Sequence, residues 1–321
     1  MQKQTILAVD LGGTKVLLGE IDHTGHVLTR EKVASDVSSQ AAATQLLLNQ
    51  IDHYMKHHDT SHIQAIALDV VGRVNSATGV WEEIDPADPH PIALSQQVQD
   101  RFHLPCFIGN DVMVGTIAEN LLGIGTVTKN FIYLAIGTGI AGRIVLNGQL
   151  VNGPDYDAGE FGHMVVDQTS TVQCVCGRYG CVEPLASGLG MSDRTHALYP
   201  QYMGKTQLQI TPGQRIGTET LFAAYDAGDP LAKQVVDQAL LGLANLIMNL
   251  TRALNPEAIR LGGGVTTGGW LVAHLQPLLK PLTMRFVREG VKNTALEPNS
   301  VALQGCGLYG FERLEGSEQH G

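Results

Sequence analysis

Apolar residues run almost unbroken through TILAVD at 5–10 and VLLGEI at 16–21, with the polar and glycine-rich LGGTK between them. Short apolar runs bounded by turn residues read as buried strands, so this segment predicts a β-hairpin. A turn at 23–25 is followed by HVLTREKVAS at 26–35, which reads as a third strand. From 41 to 58 the period changes: Leu46, Leu47, Ile51 and Met55 recur at helical spacing. IQAIALDVVG at 63–72 is a further buried strand ending on Gly72, and PADPHP at 86–91 is a loop. LPCFIGND at 104–111 reads as a strand ending in Asn110 and Asp111, and VMVGTIAENLL at 112–122 as a helix. Strands alternating with helices in this way predict an α/β protein with a mixed sheet.

The hairpin pattern returns. AVDLGGTKVLLGEID at 8–22 and LAIGTGIAGRIVLNG at 134–148 share a buried strand, a glycine turn and a β-branched strand. This weak repeat suggests duplicated mixed sheets, with a boundary near 118–130. A long apolar helix is expected at 230–254, then a short strand and a third glycine turn, LGGGV at 261–265. SVALQGCGLYGFERL at 300–314 reads as a final helix. The expected domains are 1–118 and 119–301, with the helix at about 302–315 crossing back to the first. A chain of 321 residues with 44% hydrophobic content supports two cores.

Net charge of −10 argues against a nucleic-acid or anionic-membrane partner. No apolar run approaches the length of a membrane span. The first strand starts almost at once, so no signal peptide and a cytoplasmic location are expected.

His163, Cys174, Cys176 and Cys181 fall within GHMVVDQTSTVQCVCGRYGCVE, and Gly177 and Gly180 supply turns. Four nitrogen and sulfur donors in one window suit tetrahedral Zn²⁺. The alternatives are a disulfide or free thiols. A bridge between Cys174 and Cys176 would be strained, and nothing points to an oxidising compartment. Zinc with a closed ligand shell would shape a site rather than perform chemistry.

The glycine turns at Gly12 and Gly13, at Gly137, Thr138 and Gly139, and at Gly262, Gly263 and Gly264 each follow a buried strand. Such turns let backbone N–H groups approach phosphate oxygens. Asp10 enters the first turn, and Thr14 and Lys15 follow it. A carboxylate beside phosphate calls for a cation, which suggests the Mg²⁺ of a nucleotide. No turn matches a Walker P-loop or a dinucleotide fingerprint. Asp111, at a strand end before a helix, is the candidate base for phosphoryl transfer; Asn110 or Asp111 could equally cap that helix. Glu160, His163 and Glu183 offer hydrogen-bonding groups for sugar hydroxyls.

These motifs resemble the ROK family (repressors, open reading frames and sugar kinases) of the actin-like/hexokinase-like ATPase superfamily, over nearly the whole chain. DLGGTK at 10–15, ND at 110–111 with Glu119 downstream, GTGIAG at 137–142, AGEFGHM at 158–164, CVCGRYGCVE at 174–183 and LGGGV carry the resemblance. It implies a two-domain actin-like (ribonuclease H-like) fold with a zinc-bound loop and the active site in a cleft. It implies ATP and Mg²⁺ at the glycine turns, Asp111 as base, and Asn110, Glu160, His163 and Glu183 at a hexose. His163 would also serve zinc, and a homodimer is expected. The implied activity is ATP-dependent phosphorylation of a hexose at the 6-hydroxyl. The rival is a non-catalytic sugar sensor of the same fold.

The chain departs from the family pattern at EEIDPADPHPIAL, where Asp85 or Asp88 would replace a sugar-contacting asparagine. Val112 and Met113 follow the catalytic aspartate, Arg143 replaces a common glycine, and Tyr156 a small residue. Direct entry into the phosphate-loop strand disfavours the repressor branch, which carries a preceding helix-turn-helix.

Overall fold

The computed structural model describes residues 4–84, 88–298 and 300–318. The chain divides into two compact units: Met1–Val127 with Asn152–Ala158 and Ala295–Gly321, and Thr128–Val151 with Gly159–Thr294.

In the first unit, β1 (Thr5–Leu11), β2 (Lys15–Asp22), β3 (Glu31–Ala34), β4 (Ile63–Val70) and β7 (Cys106–Gly109) form one sheet in the order β3-β2-β1-β4-β7. A separate hairpin pairs β5 (Arg73–Asn75) with β6 (Val80–Glu83). β1 runs antiparallel to β2 and parallel to β4, which runs parallel to β7. Side chains alternate across a strand, so β1 feeds two cores. Leu7, Val9 and Leu11 pack with Leu47 and Ile51 of helix α1 (Gln40–His57). Ile6 and Ala8 pack with Leu303 and Cys306 of the C-terminal helix Val301–Glu318. Burial on both faces explains why β1 reads as a continuous apolar run. Helices α2 (Leu94–Phe102) and α3 (Asp111–Leu121) flank β7 in sequence.

The expected third strand at 26–35 is shorter, at Glu31–Ala34. The Glu20 N–H donates to the Thr29 hydroxyl at 3.0 Å, so a side chain takes a hydrogen bond the ladder would otherwise make.

The second unit repeats this plan. β8 (Phe131–Ile136), β9 (Ile140–Leu146), β10 (Gln149–Val151), β11 (Ala258–Gly262) and β12 (Val291–Asn293) form a sheet in the order β10-β9-β8-β11-β12. Again a meander of three antiparallel strands is extended by two parallel ones. Helices α4 (Glu183–Ala186), α5 (Gly188–Tyr202), α6 (Thr218–Asp226) and α7 (Pro230–Leu254) follow. Ile132, Leu134 and Ile136 of β8 share a core with Leu243, Leu246 and Ile247 of α7.

The start of α7 is held by Asp229. One carboxylate oxygen accepts from the Leu231 and Ala232 N–H groups at 2.9 and 3.0 Å. The other accepts from the Gln207 N–H at 2.7 Å and the Thr206 hydroxyl at 2.8 Å. Burial alone would raise the Asp229 pKa, but these four hydrogen bonds together outweigh it and hold it below the usual carboxylate value. A depressed folded pKa stabilises above the unfolded value, about 3.9, and that stabilisation is lost as pH falls through the folded value. Asp229→Ala is therefore expected to cost about 0.5–2 kcal/mol at neutral pH, the range for losing a cap. The gap to the parent chain should narrow below about pH 4. Thermal unfolding of both chains at neutral and acid pH checks this; an equal gap at both would remove the linkage.

Candidate active site

Three parallel strands of the first unit end in one row. Asp10 of β1 pairs in register with Asp69 of β4, and Asp69 with Gly109 of β7. The carboxyl ends of strands are where open α/β sheets bind ligands. The turn after Asp10 is tight: the Gly12 N–H donates to the Lys15 carbonyl at 2.9 Å. Gly13 and Thr14 are exposed at its tip. Burial pushes Asp10 up to about 6; Lys15 opposes that rise and Asp111 adds to it.

Asn110 caps α3. Its side-chain oxygen accepts from the Met113 N–H at 3.0 Å. Asp111 stands in the first turn of the helix and is exposed. The cap is thus supplied by the neighbour, while the Asp111 carboxylate, at the end of β7, accepts the Val112 N–H through one oxygen at 2.9 Å. Glu119, further along α3, is buried, and its carboxylate accepts the Ile124 N–H at 3.1 Å.

In the second unit the turn at 137–139 is pinned from α5. The Gly188 N–H donates to the Gly137 carbonyl at 2.8 Å, and Leu189 to Thr138 at 3.2 Å. Glu183 accepts the Ile140 N–H at 2.8 Å. A Cβ on Gly139 would lie 2.6 Å from that same Glu183 oxygen, so glycine there lets the carboxylate keep its place against the Ile140 N–H. Gly263 has φ +88°, and a Cβ on it would lie 2.4 Å from the Ile136 carbonyl oxygen. The two turns bring exposed backbone to the ends of β8 and β11, a cradle suited to phosphate oxygens. Oxygen donors at Asp10 and Asp111 suit hard Mg²⁺.

Glu160 precedes a short 3₁₀ turn, Phe161–His163, and is exposed. The loop after it folds back on itself: Val182 N–H donates to the Met164 carbonyl at 3.0 Å, and Val166 to Gly180 at 2.9 Å. That closure gathers three of the four predicted ligands into one group, with Cys181 next to one of them. The donor atoms of His163, Cys174 and Cys176 lie within 4.8 Å of one another. His163 Nδ1 is 3.2 Å from Cys174 Sγ, and Cys176 Sγ is 3.7 Å from Cys181 Sγ. Two thiolates on one tetrahedral zinc, each at about 2.3 Å, would be about 3.8 Å apart, so the donor set fits zinc. Burial pushes the Cys181 thiol up to about 12 and raises Cys174, while the Arg178 backbone N–H lowers Cys176. An incoming cation must therefore displace protons from the buried thiols.

The sequence profile of the ROK family matches residues 6–310. The chain belongs to the ROK family. A "Beta-glucoside kinase" of Listeria innocua is 30% identical over 97% of this chain and 98% of its own. A "Glucokinase" of Halalkalibacterium halodurans is 28% identical over 89% of this chain and 86% of its own. The crystal structure of a ROK hexokinase from Thermus thermophilus superimposes with a TM-score of 0.78, covering 97% of this chain and 99% of that one at 24% identity.

Other positions of this ROK chain behave differently. Asp88 is exposed and faces His90, its carboxylate 3.2 Å from the imidazole Nε2; Asp85 lies outside the described residues. Arg143 is buried on β9, and Tyr156 adopts φ 60°, a left-handed conformation that strains a non-glycine residue. Asp69 escaped the sequence reading. Burial, then Asp10 and Asp111, hold its carboxyl well above the usual carboxylate range. The signal available was a lone acid inside an apolar strand, IQAIALDVVG. Among the described residues no helix is long and apolar enough to cross a membrane.

Proposed function

We propose that this ROK protein phosphorylates a hexose at its 6-hydroxyl with ATP. The observation that carries the reading is Asp111: a carboxylate at the end of a parallel strand whose helix is capped by Asn110 instead. The kinase names of the relatives support the same reaction class. Asp111 accepts the proton of the sugar hydroxyl as its oxygen attacks the terminal phosphorus. The bond from that phosphorus to the bridging oxygen breaks, and ADP leaves with the electron pair. The N–H groups of the glycine turns would hold the phosphates, and Asp10 would hold the metal. Mg²⁺ neutralises charge on the phosphates when bound.

Glu160, His163 and Glu183 bind the sugar ring. With His163 Nδ1 turned to Cys174, Nε2 is the nitrogen that meets a hydroxyl. Metal at Nδ1 would fix the proton on Nε2 and make it a donor. Glu183 is already oriented by the Ile140 N–H. Zinc in the thiolate cluster supports this wall without joining the chemistry. The proposal includes a cytoplasmic homodimer.

The sugar-sensor reading needs neither a base nor a nucleotide turn, and it predicts no ADP release with any sugar. The deciding assay is ADP formation with glucose, mannose, fructose, N-acetylmannosamine, a β-glucoside and glucuronate. The segment 83–91 is acidic, and a carboxylate accepts hydrogen bonds without donating any. Neutral sugars should therefore exceed glucuronate or a hexose phosphate in kcat/KM. Glucuronate as the best substrate would overturn the reading of this segment, and an absence of ADP with every sugar would overturn the kinase.

A further inference from the structure

Asp69 has no part in the reaction described above, yet its placement is unusual. It lies at the carboxyl end of β4, paired in register with Asp10 on β1. Residues paired across parallel strands point to the same face, and neighbouring strands lie about 4.8 Å apart. Asp69 is 1% exposed, and neither carboxylate oxygen has a hydrogen-bond partner among the described residues. Buried polar groups are nearly always partnered, so each exception asks for a ligand or a function.

The acids acting on Asp69 are Asp10 and Asp111. Lys15 is the cation acting on Asp10, and Cys306 of the C-terminal helix packs on the same face of the sheet. All three acids are hard oxygen donors, and Mg²⁺ is commonly held by one or two carboxylates while keeping several waters.

We propose that Asp10 and Asp69 hold a divalent cation of the Mg²⁺ or Mn²⁺ class before any nucleotide binds, Asp69 supplying the second carboxylate. Asp69 then gains the partner that its buried oxygens lack. The turn that meets the phosphates carries its own metal rather than receiving it only with ATP. What the cation does there rests on the kinase reading; its binding does not.

The test is Mn²⁺ binding to the full chain without nucleotide or sugar, followed by electron paramagnetic resonance of the free ion. The parent chain should take up Mn²⁺ saturably. Asp69→Asn and Asp10→Asn should each weaken binding by about 10- to 100-fold, the usual cost of losing a group that supports a metal. Asp59→Asn, an exposed acid on a distant loop, should bind as the parent does. If Asp69→Asn fails to fold, Asp69→Ser repeats the measurement, and anomalous scattering from Mn²⁺-soaked parent crystals locates the ion directly. Unchanged affinity in a folded Asp69 variant, no uptake by the parent at millimolar Mn²⁺, or an ion sited away from Asp69 would each overturn the proposal. Mn²⁺ uptake without ADP formation on any sugar would instead retain this site and remove the kinase.

Discussion

Asp111→Asn is expected to lower kcat by at least about 10²–10⁴-fold, the typical contribution of a general base. The substitution keeps the size and shape of the side chain and removes its ability to take a proton. It also leaves the start of α3 intact, because the cap is the Asn110 oxygen on the Met113 N–H. The loss should therefore fall on kcat, with sugar affinity nearly unchanged, since the hydroxyl can still hydrogen-bond to an amide. Removing a negative charge should also relax Asp10, whose raised pKa owes part of its height to Asp111. Steady-state kinetics beside circular dichroism checks the prediction. Near-normal turnover in a folded Asp111→Asn chain takes Asp111 out of the mechanism.

The second large effect concerns the thiolate cluster. Cys176→Ser is expected to release zinc and to weaken sugar binding at least about tenfold, by analogy with lost supports of metal sites. Binding of structural zinc is worth about 10–16 kcal/mol in small peptides, which would add to the packing of Met164, Val166 and Val172 against the core. Cys176 is exposed, which makes a simple packing defect a poor explanation of any loss. Released from zinc, His163 Nδ1 would no longer hold the ring, and Glu160 and Glu183 flank the same loop. Metal retention should fail as pH falls, because protons compete for sulfur, and most readily at Cys181, whose thiol burial drives up to about 12. Elemental analysis of protein purified without chelator is decisive: a chain without zinc, yet binding sugar normally, would remove the metal from the account.

Local pattern carried much of the architecture. β1, β2 and β4 are runs that only a doubly buried strand explains, and their limits follow from glycine and polar residues at each end. α7 was legible because it is long and amphipathic and stops at Asn255, in a left-handed conformation with Pro256 beyond it. The two short hairpins were not. β5, β6 and β10, the strand that extends β9, have three or four residues each, too short for an alternation to register. Their stability comes from the partner strand, which a linear reading does not see.

The candidate chemistry divides along the same line. Residue type and spacing alone determined which groups could act: hard carboxylates at 10 and 111, a soft donor set at 163–181, and glycines where backbone could approach phosphate. They also left Asp111 as base level with the reading that Asn110 or Asp111 merely caps the helix, because both can accept a backbone N–H. Tertiary structure separated them, giving the cap to Asn110. It also tied Glu183 to the turn at 139–140, forty-three positions away from its partner Ile140, and set Asp69 beside Asp10 through strand register. Chain-local free energies, such as propensity, turn strain and ligand softness, are written in a few neighbouring residues. Burial, register and the electrostatic field at a carboxyl depend on residues brought together from distant parts of the chain, and only the folded protein contains them.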